Sequence, residues 1–570
     1  MSGAPVAIPF PLSTFPGANP QEGGGRLINC YAEQLAEAQR QTGPVPQVWR
    51  RSSGLGQHAI TADAGYRGGL IVVNASFEVF NGAVVTVDAA GVVTALGAFP
   101  GAKPVSIARD QASPNPDIVA VDVDNGAYRL SGGGAPAVYN GGGNLPQPNS
   151  VTFQDGYFFF TIAAGQCYAS GLNALTQNAL TFITVGSRAD VTLSRGIAFS
   201  GLLFLFTTGS CEVWQDAAIA APAFPYARLT VLDFGLLQPF AIAGFETGFQ
   251  ELLWVAQDAG VYWLSPGSLA PIKVSSPDLE RLIEVQQHTG AQLEAGCYIA
   301  GGKKFWHISS PLWTWEFNIA TKKWNERVSL NGGVYGRWRA AGGHPAFNKW
   351  LVGDRLSGKL LFHDETDFTE NGAVQLFRIE SGPVREFPQQ LRIARGDFDF
   401  DMGVGQSVGN YQMVVTGAAA GTGGVIRLTV DKTAEAVTND YATVGGVTGT
   451  VEANGTWQIT VIDDTHIELQ QTVFVNAYIS GGTAVDITKP AGAINPVCAI
   501  SRSLDGGRSF GNPLIRSLGA QGKEKRTRAS VKGMGLSGAI GDRWRVDVTD
   551  PVYVGFLGAT QSSDPREVRP

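Results

Sequence analysis

The clearest chemical pattern in the chain lies near its C-terminus, where residues 503–510 read Ser-Leu-Asp-Gly-Gly-Arg-Ser-Phe. Four of them match the turn motif SxDxGxx[FW], known as the Asp-box: Ser503, Asp505, Gly507 and Phe510. The aspartate carboxylate of such a turn accepts backbone hydrogen bonds across a hairpin, as in Asx turns. A glycosidase would also need two facing carboxyl groups, or a tyrosine nucleophile with its partners, in one pocket. We therefore expect a structural turn at these four positions and not a catalytic site.

Residues that could bind metals or cofactors are scattered along the chain. The histidines form no HExxH or HxH pair and the cysteines form no CxxC pair; they are His58, His288, His307, His344, His363 and His466, and Cys30, Cys167, Cys211, Cys297 and Cys498. No GxxxxGK[ST] phosphate loop is present, and no GxGxxG segment opens a predicted helix. The sequence therefore predicts no catalytic residue, no cofactor and no metal site, and we expect a protein that is not an enzyme.

The charge balance bears on nucleic-acid binding. The 570 residues carry a formal net charge of −7, so the protein as a whole should repel the phosphate backbone of DNA. That argues against a DNA-binding protein but suits a conduit through which DNA slides. The densest basic run contains Glu524 and alternates like a strand, which favours a solvated strand face over a phosphate contact; it consists of Lys523, Lys525, Arg526 and Arg528.

Neither export nor membrane insertion is predicted. Residues 1–11 lack the basic start and apolar run of a signal peptide. The longest apolar stretch, residues 197–206, is too short and too interrupted to span a bilayer. We expect no membrane-spanning segment, and the isolated cysteines fit folding in a reducing cytosol.

The elements that carry these residues are predicted to be strands joined by tight turns. Glycine accounts for 73 residues, which suits turns because glycine adopts positive φ angles without steric cost. Between residues 66 and 377, β-rich runs flank Asp, Asn and Gly turns and recur roughly every forty to sixty residues, a spacing typical of four-stranded propeller blades. We predict a β-propeller of about five to seven blades. Bulky tryptophans should fill blade cores and blade interfaces rather than stack on sugars or bases; they are Trp306, Trp313, Trp315, Trp324 and Trp338.

Two helices are predicted within this β-rich chain. In residues 275–288, Ser276 or Asp278 can cap the first turn, and leucine and isoleucine recur at helical spacing. A second, short helix is predicted for residues 32–41.

The C-terminal third is predicted to contain two β-domains. Residues 406–495 shift to Thr, Val, Ala and Gly, with strands expected at residues 425–430, 456–462 and 466–470. Residues 397–401 read Asp-Phe-Asp-Phe-Asp, the alternation of a half-buried strand. The predicted fold is all-β: a β-propeller followed by a C-terminal β-sandwich with a small inserted β-domain. The expected domains are 1–60, an N-terminal arm and first strands; 61–383, the propeller; 384–405 and 496–570, the sandwich; and 406–495, the insertion.

Several short segments occur in an order that resembles a known family. Residues 26–33 read Arg-Leu-Ile-Asn-Cys-Tyr-Ala-Glu and precede Ser-Gly-Leu-Gly at 53–56; Gly-Ser-Cys-Glu-Val-Trp at 209–214 precedes Phe-Pro-Tyr at 224–226 and Arg228. Residues 252–255, 260–262 and 275–280 continue the order, as do the Asp-box, Gly519, Gly522, Arg526, Gly533 and Trp544. Together they resemble the tail nozzle or hub proteins of short-tailed bacteriophages, described as packaged DNA stabilisation proteins. The turn at 53–56 lacks the proline usual in that family.

The resemblance implies a structural protein of the virion tail, made and assembled in the bacterial host cytoplasm. It implies a homohexameric ring below the portal adaptor (the head-to-tail connector), in contact with a tail fibre, tailspike or tail needle. Such a ring retains packaged DNA and forms the conduit for its ejection, so double-stranded DNA passes through without specific binding. The alternative is a propeller glycoside hydrolase or a carbohydrate-binding adhesin acting on host surface polysaccharide, because propellers host many functions.

Overall fold

The computed structural model describes residues 5–19, 22–35, 46–130, 134–188, 192–384, 390–402, 412–433, 436–486, 496–519 and 526–569. Within these residues the fold is all-β: a propeller, a sandwich and a barrel, with one α-helix and three short 3-10 turns. The five cysteines are buried free thiols. No helix in the described part of the chain has the length and apolar character needed to cross a bilayer.

Seven antiparallel blades form the propeller within the described residues, each with four strands. Their inner strands surround one axial cavity. From the innermost strand outward, the blades are Tyr66–Val72, Ala75–Phe80, Ala83–Asp88 and Val93–Ala98; Val105–Arg109, Ile118–Asp122, Gly126–Arg129 and Ala137–Tyr139; Ser150–Gln154, Tyr157–Ile162, Gln166–Gly171 and Ala174–Thr184; Leu193–Phe199, Leu202–Thr207, Cys211–Asp216 and Tyr226–Leu232; Ile242–Ala243, Leu252–Val255, Val261–Leu264 and Ile272–Lys273; Glu294–Ala300, Lys303–Ser309, Thr314–Asn318 and Lys323–Asn331; Ala340–Ala346, Lys349–Asp354, Lys359–Asp364 and Gly54–Ile60.

The last blade takes its outer strand from the N-terminal region. Gly54–Ile60 pairs antiparallel with Lys359–Asp364, from Gly54 opposite Asp364 to Ile60 opposite Lys359. The short strands Thr369–Glu370 and Ala373–Val374 extend this sheet. The sequence-based boundary at residue 61 is therefore wrong, because an open sheet edge requires a partner strand and the chain supplies it from residues 54–60.

The predicted helix at 275–288 is confirmed and spans Pro277–Thr289. The Ser276 hydroxyl accepts a hydrogen bond from the Leu279 backbone nitrogen, and Gly290 ends the helix in the left-handed conformation. The helix predicted at 32–41 is wrong where the structure describes it: Cys30–Gln34 is a strand paired with Gln47–Arg51, and residues 36–41 lie outside the described ranges. Its burial alternates, as a strand between two layers requires.

The sandwich is built from both ends of the chain. One sheet contains Val6–Ala7, Cys30–Gln34, Gln47–Arg51, Gln390–Asp401, Arg526–Leu536 and Gly555–Arg569; the other contains Arg26–Ile28, Phe377–Glu380, Val497–Ser503, Leu514–Ser517 and Arg543–Val548. Residues of the N-terminal arm share one apolar core with the C-terminal strands, Phe10, Trp49 and Phe556 among them. The arm is thus no separate domain, and strand Phe377–Glu380, assigned from the sequence to the propeller, belongs to the sandwich because only there does its apolar face become buried.

The insertion forms a closed six-stranded barrel with a core of its own. Its strands are Gln412–Ala420, Ile426–Val430, Tyr441–Gly445, Gly455–Asp463, His466–Leu469 and Thr483–Asp486. The three strands predicted here from the sequence are confirmed within one or two residues at each end. Closure of the barrel leaves no free strand edge in this domain.

A fully buried ion pair joins the first two blades. Arg67, on the inner strand of blade 1, donates from Nη2 to Asp122 Oδ2 at 2.6 Å, and neither side chain is exposed. The guanidinium also donates to Asn81 O and Lys103 O. The Asp122 carboxylate accepts in addition from the Asn125 backbone nitrogen. The pair is therefore hydrogen-bonded on both sides, as a buried charge requires.

Arg67→Met should lower the free energy of unfolding by about 3–5 kcal/mol, because it leaves the Asp122 carboxylate buried without its counter-charge. Arg188→Met is the matched control: both side chains of the Arg188–Asp233 pair are more than half exposed, and such pairs contribute about 0–1 kcal/mol. Urea unfolding of the full-length protein, followed by tryptophan fluorescence, measures both effects. Equal effects of the two substitutions would contradict the role given to the buried pair.

Candidate functional site

The Asp-box turn connects strands Val497–Ser503 and Leu514–Ser517 of the sandwich. Asp505 Oδ1 accepts from the Ser503 hydroxyl at 2.7 Å and from the Ser509 backbone nitrogen at 2.9 Å, while Oδ2 accepts from the Ser509 hydroxyl at 2.6 Å. Hydrogen bonds from the Ser509 side chain and backbone, together with that from Ser503, hold the pKa of Asp505 well below its usual range. Both carboxylate oxygens are thus engaged inside the turn.

The other two motif residues attach the turn to the neighbouring strand. Gly507 has a φ of +98°, a conformation that favours glycine, and its backbone nitrogen donates to Ser503 Oγ at 2.8 Å. The guanidinium carbon of Arg545 lies 4.2 Å from the centre of the Phe510 ring. The turn thus packs on strand Arg543–Val548 through Phe510, and Gly507 closes the turn onto Ser503.

A continuous sheet connects the propeller to the sandwich. Strand Arg26–Ile28 lies between the outer strand of blade 6, Lys323–Asn331, and the sandwich strand Phe377–Glu380. We name this junction, with the side chains around it, the seam. Two domains that share a sheet cannot rotate freely, because rotation would break its backbone hydrogen bonds.

The first segment of the family resemblance lies on the seam. Arg26 makes a two-point ion pair with Glu326, with distances of 2.9 Å from Nε to Oε1 and 2.6 Å from Nη2 to Oε2. Asn29 is buried at a φ of +50°; its Nδ2 donates to Val328 O at 3.0 Å and its Oδ1 accepts from Val328 N at 3.0 Å. A side-chain amide that pairs with a backbone amide in this way replaces a missing strand partner.

Glu33 extends the seam toward blade 6. Its carboxylate pairs with Lys303 at 2.9 Å and with the Arg50 guanidinium. Burial alone would raise the pKa of Glu33, but hydrogen bonds from Lys303 and Arg50 outweigh burial and lower it. The carboxylate is thus an ionised bridge between the arm and the propeller.

A buried polar network lies where the arm enters the last blade. Arg327 is fully buried; it donates to Tyr298 Oη at 3.2 Å and to Ser53 O at 3.3 Å, and its guanidinium carbon lies 4.2 Å from the Trp338 ring centre. The Glu316 carboxylate lies 3.6 Å from Arg327 and accepts from the Tyr298 hydroxyl. Ser53 is the residue immediately before the closing strand Gly54–Ile60, so this network positions that strand.

Another segment of the resemblance stabilises blade 4. Glu212 is fully buried and accepts hydrogen bonds from the Ser187 backbone nitrogen at 3.0 Å and from Trp214 Nε1 at 3.1 Å, while Arg228 lies 3.5 Å away. Phe224 packs edge-on against Trp214, with ring centres 5.9 Å apart. These side chains contact one another within the blade.

An axial cavity of about 360 Å³ runs between the inner strands. That volume lies in the usual range for small-molecule pockets, roughly 300–1,000 Å³. Its charged lining residues come from distant parts of the chain, and sequence analysis missed all of them as a group; they are Arg67, Arg109, Asp110, Arg195, Glu246, Glu294, His344 and Arg355. No local motif marks them, because they come from six of the seven blades and their loops.

Two carboxyl groups of this cavity have contrasting surroundings. Glu294 pairs with Arg337 at 2.7 Å and with Arg355. Glu246 Oε2 accepts from the Gly244 backbone nitrogen at 2.6 Å, and the Cys297 thiol lies 3.2 Å away. Burial raises the pKa of Glu246 despite these hydrogen bonds. Glu294 is thus paired with two arginines, whereas the Glu246 carboxyl group is desolvated.

A serine, a histidine and a glutamate also meet beside the cavity, but not as a catalytic relay. Ser76 Oγ lies 2.8 Å from His344 Nε2, and Glu78 Oε1 lies 3.1 Å from the same nitrogen. In a nucleophile–base–acid relay the serine and the acid contact opposite ring nitrogens. Ser76 donates instead to Glu78 at 2.6 Å. The three groups form a closed, buried hydrogen-bonding cluster.

The remaining sequence candidates have structural surroundings. Four of the five clustered tryptophans are fully buried and Trp313 is partly buried, which confirms their predicted place in blade cores and interfaces. Arg526 and Arg528 each pair with Asp399 on the neighbouring strand, at 2.8 and 2.7 Å, whereas residues 520–525 lie outside the described ranges. No group of three or more potential metal ligands occurs among the described residues.

Comparison with family models gives no match, and comparison with curated proteins gives none. Solved structures similar to this chain include the WD40 β-propeller domain of Doa1, with 9% identity, a TM-score of 0.35 and coverage of 55% of this chain and 97% of that one. They also include the Myceliophteria thermophila Cps50 (Swd1) β-propeller domain, with 10% identity, a TM-score of 0.35 and coverage of 54% and 98%. The computationally designed Ika8 protein has 9% identity, a TM-score of 0.33 and coverage of 60% and 100%.

Asp505→Asn should speed hydrogen exchange at the Ser509 amide about tenfold at pH 7, because that amide loses an ionised acceptor. A carboxyl group with a depressed folded-state pKa stabilises above its unfolded pKa of about 3.9, and its contribution is lost as pH falls below that value. The difference between the wild type and the variant should therefore shrink in acid. Exchange measured at pH 7 and pH 3 by mass spectrometry tests this, with the wild type and the variant compared at each pH. An unchanged rate at pH 7 would contradict the structural role of Asp505.

Proposed function

We propose that this chain is a structural subunit of a short-tailed bacteriophage tail. Copies of it close into a ring, six being the expected number, that retains packaged DNA and conducts it during ejection. The ring contacts a portal adaptor on one side and a tail fibre, tailspike or tail needle on the other. The observation that carries this proposal is the position of the residues 26–33 segment, which lies on the seam between propeller and sandwich.

The location of that segment favours a structural role, in which it fixes the orientation of the propeller relative to the sandwich. Arg26, Asn29 and Glu33 each contact the propeller, and Glu33 also lines a cavity of about 310 Å³ between the arm and the propeller. A ring subunit under pressure from packaged DNA must keep its domains in fixed orientation, and a shared sheet flanked by partly buried ion pairs does so. The seam therefore supports the structural proposal more than an enzymatic one.

Both ends of the described chain are also held in one sheet. Val6–Ala7 pairs with Thr560 and Gln561 of the long C-terminal strand, and Trp49 lies opposite Phe556 of the same strand. Force applied to either end would load several hydrogen bonds in parallel. This arrangement suits a protein that transmits force within an assembly.

The propeller itself is too narrow to be the conduit. A sphere of 360 Å³ is about 9 Å across, whereas the major groove of duplex DNA alone is roughly 12 Å wide. In the proposed ring, DNA therefore passes between subunits and not through a propeller axis. The net charge of −7 suits such a passage, because phosphate groups are not retained.

The decisive experiment combines assembly and DNA binding. Native mass spectrometry and negative-stain microscopy of the full-length protein should show a closed ring with an axial hole, and the polypeptide should be present in purified virions. Fluorescence anisotropy should show little binding to duplex DNA at physiological salt. A persistent monomer that is absent from virions, or tight salt-dependent DNA binding, would rule the proposal out.

A second candidate is a propeller glycoside hydrolase, which Glu246 and Glu294 favour. Glycosidases use two carboxyl groups in different surroundings, and this cavity is lined by a desolvated Glu246 and by Glu294, which is paired with two arginines. Release of nitrophenol from nitrophenyl glycosides, abolished in Glu246→Gln and in Glu294→Gln but retained in Glu284→Gln on the exposed helix surface, would support it. Absence of hydrolysis across a panel of nitrophenyl glycosides would rule out the hydrolase candidate.

A further inference from the structure

The axial cavity contains a buried cation that the protein itself leaves without a counter-ion. Arg195, on the inner strand of blade 4, is only 6% exposed and lines the cavity. Its Nη1 donates to Pro239 O at 2.9 Å, but its Nε is buried and finds no hydrogen-bond acceptor among the described residues. No described carboxylate lies within ion-pair distance of it. A buried charge in this state is rare unless something else pairs with it.

Two aromatic rings hold this guanidinium in place. Its central carbon lies 4.8 Å from the Phe240 ring centre and 5.3 Å from the Phe245 ring centre. Contacts of this kind favour the cation but occupy its faces and not its edge, where Nη2 makes no hydrogen bond to a described residue. Burial lowers the pKa of Arg195 to about 10, so the group is still a cation at neutral pH.

The nearest acid is directed elsewhere. Glu246 attracts Arg195 electrostatically but forms its hydrogen bonds with the Gly244 backbone nitrogen and the Cys297 thiol. Its own pKa is raised by burial, which shows that Arg195 compensates its charge only partly. Glu246 therefore lowers the positive potential around Arg195 without forming an ion pair with it.

A second arginine of the cavity is similarly unpaired. Arg109, on the inner strand of blade 2, makes one long hydrogen bond, from Nη1 to Asp110 O at 3.4 Å, and no ion pair with a described residue. The Asp110 carboxylate accepts instead from the backbone nitrogens of Ala112 and Asp117. Two arginines on the cavity lining thus have free donors.

Apolar side chains supply the rest of the wall. They come from the inner strands or adjoining loops of blades 1, 2, 3 and 5; they are Leu70, Val105, Ile107, Phe153, Ile242 and Phe245. A cavity that combines apolar walls with a few cationic groups has the composition usual for a small-molecule site.

We propose that the axial cavity binds a small organic anion, whose carboxylate or phosphate group pairs with the Arg195 guanidinium and whose apolar body packs on the phenylalanines. Arg109, on the lining of the same cavity, adds positive charge that favours either group. The proposal is independent of ring assembly, because the cavity lies wholly inside one propeller.

Calorimetric titration of the full-length protein tests it with three probes of the same shape. Benzoate and phenyl phosphate carry the two candidate anionic groups, and benzamide is their neutral counterpart. At least one anion should bind with a Kd below about 1 mM, while benzamide should bind at least tenfold more weakly. Preference for benzoate or for phenyl phosphate identifies the group, and either preference supports the proposal.

Substitutions locate the binding. Arg195→Met should weaken anion binding about tenfold to a hundredfold, as expected for loss of charge-assisted hydrogen bonds. Arg109→Gln, at a half-exposed position whose removal spares the fold, should weaken it as well. Glu246→Gln should tighten it, because it removes a nearby negative charge. Arg188→Met, outside the cavity, is the control and should have no effect.

Three results would overturn the site. They are benzamide binding as tightly as the anions, affinities unchanged in both Arg195→Met and Arg109→Gln, and no binding of either anion at about 10 mM. Retention of the wild-type circular dichroism spectrum by Arg109→Gln ensures that lost binding is not lost folding.

Discussion

The constraint on which the rest of the structure depends is closure of the propeller by a strand from the other end of the sequence. The chain does not run on from the last blade into the first. The last blade therefore takes its outer strand, Gly54–Ile60, from the segment that precedes blade 1. Loss of that pairing would expose the edge of Lys359–Asp364 and open the ring. Because the closing strand is preceded directly by the arm, closure also determines where the described residues of the arm lie, and hence where the sandwich forms.

The polar residues around this joint contribute specificity more than net stability. Burying Arg327 and Glu316 costs desolvation that their attraction only offsets, and a well-packed apolar pair would often be as stable. The network instead specifies strand register. Arg327 donates a hydrogen bond to Ser53 O, and this bond favours one register of the strand that follows Ser53. The Arg26–Glu326 pair has the same effect at the seam.

The rigid seam and the axial cavity suggest two separate uses of one fold. The seam makes propeller and sandwich into one unit, which suits assembly, while the cavity is enclosed by blades that assembly need not disturb. A cavity of 360 Å³ inside each subunit admits a small molecule but no duplex. In the proposed ring, a passage for DNA would therefore lie between subunits and outside the propeller axis.

Local chemistry was readable from the sequence alone. The cap at Ser276, the hairpin turns, the alternating strand at 397–401 and three strands of the inserted β-domain follow from interactions between residues a few positions apart. The all-β class and the propeller follow from repetition of such hairpins. These features need no knowledge of distant residues, because turn geometry and strand alternation are set by neighbouring side chains.

Tertiary structure alone decided the number of blades, the sharing of the arm between two domains and the composition of the cavity. Arg195, Glu246, Glu294 and His344 come together only because the ring closes, and nothing in their immediate sequence marks them. The segment at 32–34 had a helical pattern in the sequence, yet pairing with Gln47–Arg51 made it a strand. Contacts between residues hundreds of positions apart depend on the free energy of the whole closed propeller. A short stretch of sequence does not determine that free energy.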